Sequence, residues 1–283
     1  MDVVLARSLA EAYDGVSGRR GAELLAGGTD LMVEINFGRK RPERIVSIGR
    51  VEDLRAFERN GAVRMGALTT FTRMLSTAED GLLALREMAR TVGSPQIRNA
   101  GTLGGNLGTS SPAGDALPVL AAYDATVRLG SKSGERRIPF VEYMAGPKRS
   151  ARRSDEIVLE ATWDDPGPAQ TFMKVGTRNA MVIAVASLCL VADRRRHALR
   201  VALGSCGPTI IRATEAEAFA AGLFDESGWE RPLTATDAPR RRFGELVATA
   251  ARPIDDVRGT AAYRRHVLAV MAERALARVG AIA

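Results

Sequence analysis

Two glycine-rich segments carry the residue types that could hold an anionic ligand. The first is AGGTDL at 26–31, and the second is NAGTLGGNLGTSSPAGD at 99–115. Glycine has no Cβ, so it allows close backbone approach and positive φ angles. Successive peptide N–H groups and a helix start then attract negative charge. The order strand, Gly-Gly, Thr-Asp, helix in the first segment fits a diphosphate.

The second segment also offers polar side chains. Asp115 is suited to accepting hydrogen bonds from ribose hydroxyls, and five further residues can donate or accept, namely Thr102, Asn106, Thr109, Ser110 and Ser111. Neither segment matches the GxxxxGK[ST] or the GxGxxG nucleotide-binding pattern. The two patterns therefore predict an anionic cofactor site near both loops without naming its ligand.

Residue types suited to metal or nucleophilic chemistry are few. The chain has two cysteines, Cys189 and Cys206, and two histidines, His197 and His266. Two thiols cannot supply the four ligands of an iron–sulfur cluster, and neither has a histidine nearby for zinc. We therefore predict buried, reduced cysteines, no metal site, and no catalytic acid, base or nucleophile on this chain.

The composition indicates a soluble globular protein of one large or two ordinary domains, with 283 residues and 46% hydrophobic residues. No stretch approaches a membrane span, and no signal-peptide pattern opens the chain, so a cytoplasmic location is expected. The net charge of +7 is spread over short basic runs without interleaved aromatics, which disfavours nucleic-acid binding. The basic segment 148–153 is interpreted as near the cofactor mouth, as a subunit contact, or as a mobile solvated loop.

Hydrophobic periodicity places helices and strands around these segments. Helices are predicted at 8–20, 31–37, 69–75, 82–92, 115–122, 214–222, 242–250 and 260–278. Strands are predicted at 23–26, 44–48, 62–66, 126–129 and 137–140, followed by two strand pairs, 157–163 with 171–176 and 182–192 with 199–204. Because strands and helices do not alternate strictly, the class is α+β.

Several strings resemble one family. AGGTDL at 26–31, IRNAGTLGGNL at 97–107 and SPAGD at 111–115 together resemble the medium, FAD-binding subunit of molybdenum hydroxylases, the xanthine dehydrogenase and carbon monoxide dehydrogenase family. The resemblance continues through DEIVLEATW, FMKVGTR and SCGPTIIRATEAEAFAAG, and it covers nearly the whole chain. It implies a two-subdomain FAD-binding domain of the vanillyl-alcohol oxidase/PCMH type at 1–176, with subdomains of about 1–60 and 61–176. A small α+β C-terminal domain, an antiparallel sheet with helices, is expected at 177–283.

The resemblance also implies a non-covalent FAD site. Its residues would be Leu25, Ala26, Gly27, Gly28, Thr29, Asp30, Leu31, Val92, Thr102, Leu103, Gly104, Gly105, Asn106, Asp115, Val158 and Lys174. The first loop would wrap the diphosphate with backbone amides, and the second would contact its other side and the flavin region. Asp115 would bind on the adenosine side, while Lys174 would lie near the flavin, where a cation stabilises the reduced ring. Val92 would make an apolar contact, and Val158 would contribute its strand backbone.

One departure from the family pattern follows this lysine. Many relatives carry an acidic–aromatic pair near the isoalloxazine, where this chain has Asn179, Ala180, Met181 and Val182. The resemblance therefore implies an altered flavin environment, and these four residues are not counted in the predicted site.

The function implied is electron transfer within a complex. A small partner subunit would hold [2Fe–2S] clusters, and a large one would hold molybdopterin, in a heterotrimer or a dimer of heterotrimers. FAD would pass the electrons to NAD⁺, a quinone, oxygen or another external acceptor. Two alternatives stay open: a self-sufficient FAD-dependent oxidase, which the short chain disfavours, and a non-enzymatic nucleotide- or nucleic-acid-binding module.

Overall fold

The structure, a computed structural model, describes residues 1–18, 21–77, 81–233 and 235–282. Within these ranges three larger sheets and a small hairpin are packed with helices. This arrangement confirms the predicted α+β class. None of the helices in the described ranges combines the length and apolar content needed to cross a bilayer.

The N-terminal sheet is parallel, with its third strand between the first two. Its elements are β1 (Asp2–Leu5), α1 (Leu9–Val16), β2 (Ala22–Leu25), α2 (Leu31–Asn36) and β3 (Arg44–Ser47). Helix α1 begins where the Ser8 hydroxyl accepts the amide of Glu11, which caps the helix. It is shorter than the predicted range 8–20, of which Arg19 and Arg20 lie outside the described residues. Strand β2 leads directly into the first glycine segment.

The second sheet is antiparallel and contains the middle of the chain. Its elements are β4 (Phe57–Asn60), β5 (Ala62–Gly66), α3 (Phe71–Thr77), α4 (Leu83–Thr91), α5 (Pro95–Ala100), α6 (Leu103–Thr109), α7 (Ala116–Ala122), β6 (Thr126–Ser131), β7 (Gly134–Pro139), α8 (Phe140–Tyr143), β8 (Met144–Gly146), β9 (Arg149–Ser150) and β10 (Ile157–Asp164). The strand order is β4–β5–β10–β6–β7, and β8 pairs with β9 in a separate hairpin. A 3₁₀ turn at Glu52–Arg55 precedes this sheet. The second glycine segment contains the end of α5, all of α6 and the turn that leads to α7.

The third sheet is antiparallel, in the order β11–β12–β13–β14, and has helices packed on it. Its elements are β11 (Gln170–Val175), β12 (Ala186–Asp193), β13 (Ala198–Gly204), β14 (Ile211–Arg212), α9 (Thr214–Ser227), α10 (Asp237–Ala250) and α11 (Ala261–Gly280). Strand β12 begins later than the predicted 182, because Val182 packs on Gly176 within the connecting loop. The predicted pairing of this strand with β13 is confirmed.

One predicted strand pair is wrong. The sequence pattern pairs 157–163 with 171–176, but β10 and β11 lie in different sheets. Strand β10 has β5 on one side and β6 on the other, so it leaves no edge for β11, which pairs with β12. Alternation of apolar residues shows that a segment is a strand and which face is buried, but it does not identify the neighbouring strand.

Helix α4 packs against β11 of the third sheet. The buried side chain of Gln170 accepts the amide of Ala84 at 3.0 Å and donates to the carbonyl of Gly81 at 2.9 Å. The Glu87 carboxylate accepts the hydroxyl of Thr171 and the amide of Phe172, each at 2.8 Å. These bonds fix the start of β11 beside the N-terminal half of α4. The domain division at 176/177 stays a prediction, although the pairing of β11 places that strand in the third sheet.

Candidate functional site

The first glycine segment connects β2 to α2 and keeps a run of backbone amides available. The amides of residues 26–31 donate to no acceptor in the part of the chain that the structure describes. The carbonyls are used instead: that of Leu25 accepts from Ile48 at 2.9 Å, and that of Gly28 accepts from Met32 at 3.1 Å. Gly28 has a φ of 74°, in the left-handed region that favours glycine. The loop therefore continues from β2 into the first turn of α2 and retains six N–H donors.

The two glycine segments lie against each other. A Cβ at Gly27 would overlap the carbonyl oxygen of Ala100, so only glycine permits this approach. Asp30, at the end of the first loop, accepts a hydrogen bond from the Thr109 hydroxyl at 3.2 Å. The structure thus brings the predicted residues of both segments together in one place.

The second segment uses its amides to form a helix start. Thr102 caps α6, because its hydroxyl accepts the amide of Gly105 at 3.0 Å. The other three amides of this turn donate to backbone carbonyls, from Leu103 to Thr69, from Gly104 to Ala67 and from Asn106 to Thr102. These donors are therefore not free for a diphosphate, which corrects the prediction that both loops bind through amides. The part of this segment left open to a ligand is the side of Gly105 where a Cβ would point. A Cβ there would be 3.1 Å from the Thr102 hydroxyl and would meet no other atom within 4 Å.

Asp115 and Lys174 form a buried ion pair. The Lys174 Nζ is 2.6 Å from the Asp115 Oδ2, and the two side chains are 5% and 10% exposed. The same Nζ donates to the carbonyl of Thr91 at 3.3 Å. The sequence interpretation placed Asp115 at the adenosine side and Lys174 at the flavin. The structure brings these two side chains into direct contact, so they line the same part of the candidate site.

Burial raises the pKa of the Asp115 carboxyl above its ordinary value, while the charge and hydrogen bond of Lys174 act in the opposite direction. The other carboxylate oxygen, Oδ1, is buried and has no hydrogen-bond partner among the described residues. A buried acceptor without a partner is costly unless a ligand supplies a donor. Asp115 thus fits a group with a hydroxyl or an N–H to donate.

The remaining predicted residues surround these two clusters. Asn106 accepts the amide of Ala116 at 3.2 Å, so its side chain holds the turn that carries Asp115. Val92 lies at the end of α4, directly after Thr91, whose carbonyl accepts the hydrogen bond from Lys174. Val158 has a buried side chain in β10, next to α6, so only its backbone could face a ligand. Strand β5 pairs with β10 only from Glu160 onward, so it does not pair with the backbone of Val158.

The basic segment 148–153 forms part of the β8–β9 hairpin and contacts this site. The amide of Lys148 donates to the carbonyl of Ser110 at 3.1 Å, at the end of α6. Its Nζ is 2.7 Å from the carboxylate of Glu34 on α2, and this hydrogen bond lowers the pKa of Glu34. The hairpin therefore links the helices that follow the two glycine segments.

Sequence reasoning missed the residues that act through their backbones. The carbonyls of Ala67 and Thr69 hold the start of α6, and that of Thr91 receives Lys174. The Thr69 hydroxyl is also buried without a partner in the described part of the chain. A carbonyl leaves no trace in residue type, so no local pattern could have found these contacts.

The arrangement suits a dinucleotide. Six available amides can surround a diphosphate, and the orphaned Asp115 oxygen can accept from a hydroxyl or ring N–H farther along the ligand. Lys174 adds a positive charge beside that position. The fold and site define a nucleotide-cofactor-binding protein.

Comparison with known proteins gives the particular family. Residues 1–162 match the family described as "FAD binding domain in molybdopterin dehydrogenase", and residues 171–279 match the "CO dehydrogenase flavoprotein C-terminal domain". The chain therefore belongs to the FAD-binding subunits of the xanthine dehydrogenase and carbon monoxide dehydrogenase family, and it is an oxidoreductase flavoprotein. The predicted family and the predicted FAD cofactor are confirmed.

Individual proteins show the same likeness. The nicotinate dehydrogenase FAD-subunit of Eubacterium barkeri is 38% identical over 170 residues, which cover 57% of each protein. The xanthine dehydrogenase FAD-binding subunit of Escherichia coli O157:H7 is 29% identical, over 98% of this chain and 95% of that one. In the solved structure of reconstituted CO dehydrogenase from Oligotropha carboxidovorans, a chain with 24% identity superposes with a TM-score of 0.88, covering 100% and 98% of the two chains. That structural likeness shows the fold.

Proposed function

We propose that this chain is the electron-transfer subunit of a molybdenum hydroxylase complex. It would receive electrons from [2Fe–2S] clusters on a small partner subunit and deliver them to an external acceptor. A large partner subunit would carry molybdopterin and oxidise the organic substrate. Two relatives named as medium subunits, those of glyceraldehyde dehydrogenase from Sulfolobus acidocaldarius and nicotine 6-hydroxylase from Paenarthrobacter nicotinovorans, support such a division of labour.

The open amides of residues 26–31 are the observation that carries this proposal. They are the donors that a diphosphate needs, and they occur where the two glycine segments meet at Gly27 and Ala100. All sixteen predicted residues, from Leu25 to Lys174, stay in the proposed site. Their division of roles changes: the first loop binds the diphosphate by amides, and the second bounds the cavity by its side chains and by the open face of Gly105.

Asp115 and Lys174 are proposed to act on the same part of FAD. The free carboxylate oxygen would accept a hydrogen bond from the cofactor, and the ammonium group would provide positive charge in a buried place. Flavin supplies the ability to take up two electrons and to release them singly or as a hydride. A positive charge near the ring favours its reduced, anionic form, and the Asp115 carboxylate paired with Lys174 would offset part of that charge.

The remaining expectations from the sequence are part of the same proposal. The complex would be a heterotrimer, alone or as a dimer of heterotrimers, and it would be cytoplasmic. The chain would divide into FAD-binding subdomains of about 1–60 and 61–176, with a C-terminal domain at 177–283. The external acceptor would be NAD⁺, a quinone, oxygen or another oxidant.

Ligand titration of the isolated chain tests the site. We expect FAD to bind at least about 100-fold more tightly than riboflavin, because the open amides recognise the diphosphate that riboflavin lacks, equal to ~2.7 kcal/mol. Binding would be followed by quenching of flavin fluorescence and by calorimetry. Equal affinity for FAD and riboflavin would contradict diphosphate recognition by the first loop.

Electron transfer is tested in the assembled complex. The molybdenum partner would be reduced with its own substrate, and the absorbance of flavin and of iron–sulfur clusters followed by stopped flow. We expect the clusters to bleach before the flavin, and a complex lacking FAD to keep its clusters reduced when the acceptor is added. Full turnover with the acceptor in that FAD-free complex would contradict the proposal.

A further inference from the structure

We infer that an exposed apolar patch on the C-terminal part of the chain is the docking surface for the electron-donating, iron–sulfur partner subunit. The patch comprises Met181, Ile183, Ile254, Val257 and Tyr263. These side chains are between 47% and 104% exposed, in contrast to the buried apolar residues around them. This inference rests on the proposed function, since it names the partner that the function requires.

The patch is contributed by three segments that lie together. Val257 stands at the tip of a turn closed by two backbone hydrogen bonds between Asp256 and Gly259, at 3.1 and 3.2 Å. A Cβ at Gly259 would be 3.2 Å from a methyl of Val185 and 3.5 Å from the ring of Tyr263. The turn, the start of α11 and the end of the loop 176–185 are therefore in contact.

A buried arginine holds these segments in place. Arg264 is 1% exposed and donates to the carbonyls of Val185 at 2.9 Å and Ser205 at 2.8 Å. Both of those bonds come from Nη1, and the second terminal nitrogen, Nη2, donates to the Asp256 carboxylate at 2.6 Å. The loops that present the apolar side chains are thus ordered before any partner arrives, which reduces the entropy lost on binding.

The surrounding charges indicate the chemistry of the partner. Arg178, Arg252 and Arg265 are exposed near the patch, and none has a carboxylate partner in the residues described. Asp255 is an exposed acid beside them, so the rim is predominantly positive. A large exposed apolar patch with a charged rim is typical of a protein interface. The complementary surface would have an apolar centre with carboxylates around it.

The position of the patch indicates which partner it receives. The loop 176–185 begins two residues after Lys174, whose side chain reaches the proposed flavin position beside Asp115. A chain seated on this loop lies close to that position, and single-electron transfer requires a donor close to the flavin. The iron–sulfur subunit meets this requirement, whereas the subunit that oxidises the organic substrate does not need it.

Site-specific cross-linking in the assembled complex tests the inference. A photo-reactive amino acid would replace Val257, the most exposed of the five, and the linked chain would be identified by mass spectrometry. We expect linkage to the iron–sulfur subunit. Linkage to the molybdopterin subunit, to a second copy of this chain, or to no chain at all would overturn the inference.

A charge substitution provides a second measurement. We expect Val257→Glu to weaken association with the iron–sulfur subunit at least tenfold, since it places a carboxylate in the apolar centre. Val3→Glu on β1, where the wild-type side chain is 51% exposed, is the matched control and should leave association unchanged. Unchanged association for Val257→Glu, or equal loss for both variants, would contradict the assignment.

The flavin content of the isolated Val257→Glu chain separates the two proposals. The residue lies outside the proposed FAD site, so we expect wild-type FAD affinity and wild-type thermal stability. If wild-type chain binds FAD and the cross-link goes elsewhere, the docking surface alone is wrong. If wild-type chain does not bind FAD, the proposed function fails whatever the cross-link shows.

Discussion

The two glycine segments have similar composition but use their backbones differently. In the first loop, the amides of residues 26–31 stay available, while the flanking carbonyls of Leu25 and Gly28 accept from Ile48 and from the first turn of α2. In the second, the amides of residues 103–106 are all consumed by the start of α6 and by the carbonyls of Ala67 and Thr69. One loop provides donors, and the other is a rigid support against which it is placed.

The same contrast explains why each segment needs glycine. Gly27 brings the first loop against the carbonyl of Ala100, and Gly28 adopts a positive φ. Gly104 instead brings α6 against Ala67, where a Cβ would be 2.6 Å from that residue's own Cβ. A glycine run therefore indicates close backbone approach, but it does not tell whether the approaching group is a ligand or another part of the chain.

The largest effect is expected from Gly27→Ala in the first loop. The added Cβ would overlap the Ala100 carbonyl oxygen, so the loops must separate and the open amides lose their arrangement. We expect FAD affinity to fall at least about 100-fold, or ~2.7 kcal/mol, measured by fluorescence titration. Gly222→Ala in α9 is the control, because a Cβ there meets nothing within 4 Å. Wild-type affinity in Gly27→Ala would show that FAD binding does not depend on the close contact between the two loops.

Gly105→Val in the second loop should have a smaller effect on binding. A Cβ at this position meets only the Thr102 hydroxyl, so the fold should tolerate it, but the side chain would extend into the open face beside the first loop. We expect a roughly 10-fold to 100-fold loss of FAD affinity, about 1.4 to 2.7 kcal/mol. Gly108→Ala, at an exposed position with nothing within 4 Å, is the comparison within the same helix. If Gly105→Val binds FAD as well as Gly108→Ala, the second loop positions the first loop and does not itself contact FAD.

The sequence predicted the local features of the site and missed the long-range ones. Glycine runs, caps and strand patterns are properties of neighbouring residues, so the loops and most flanking elements were found. The use of the α6 amides depends on carbonyls more than 30 residues earlier, and nothing in residue type indicates it. The Asp115–Lys174 contact joins positions 59 residues apart, so it was also outside the reach of a local pattern.

The pairing of β10 with β11 failed for a related reason. Both segments are strands with a turn-like connection, and such a pattern favours a hairpin. The actual partners of β10 are supplied by β5 and β6, and those of β11 by β12 after a ten-residue loop. The chain changes sheets at this point, and the turn residues Asp165 and Gly167 give no sign of it.

The difference in capping leads to a third, smaller effect, on stability. Thr102 caps α6 by its hydroxyl, whereas Asp30 before α2 makes no side-chain cap bond. We expect Thr102→Ala to reduce the free energy of unfolding by about 1 kcal/mol and Asp30→Ala by less than about 0.5 kcal/mol, measured by urea denaturation. Thr102→Ser should restore most of the loss. Equal losses of stability for the two alanine variants would mean that the two loops do not differ in how a side chain caps the following helix.

The smallest effect concerns the pH dependence of Asp115, which lies where the second segment ends. Its folded pKa is raised by burial, so between the unfolded and folded pKa values the folded chain binds more protons than the unfolded chain. The contribution of this group to stability is present below the unfolded pKa and is lost as pH rises through the folded pKa. The lowered pKa values of Glu34 and Glu156 make stability rise with pH, which is opposite to the effect of Asp115. The contribution of Asp115 is therefore isolated by the difference in stability between wild type and Asp115→Asn. Urea denaturation from acidic to neutral pH should show that the advantage of wild type over Asp115→Asn declines as pH rises. An advantage that grows with pH would mean that Lys174 outweighs desolvation and that the carboxylate is held charged.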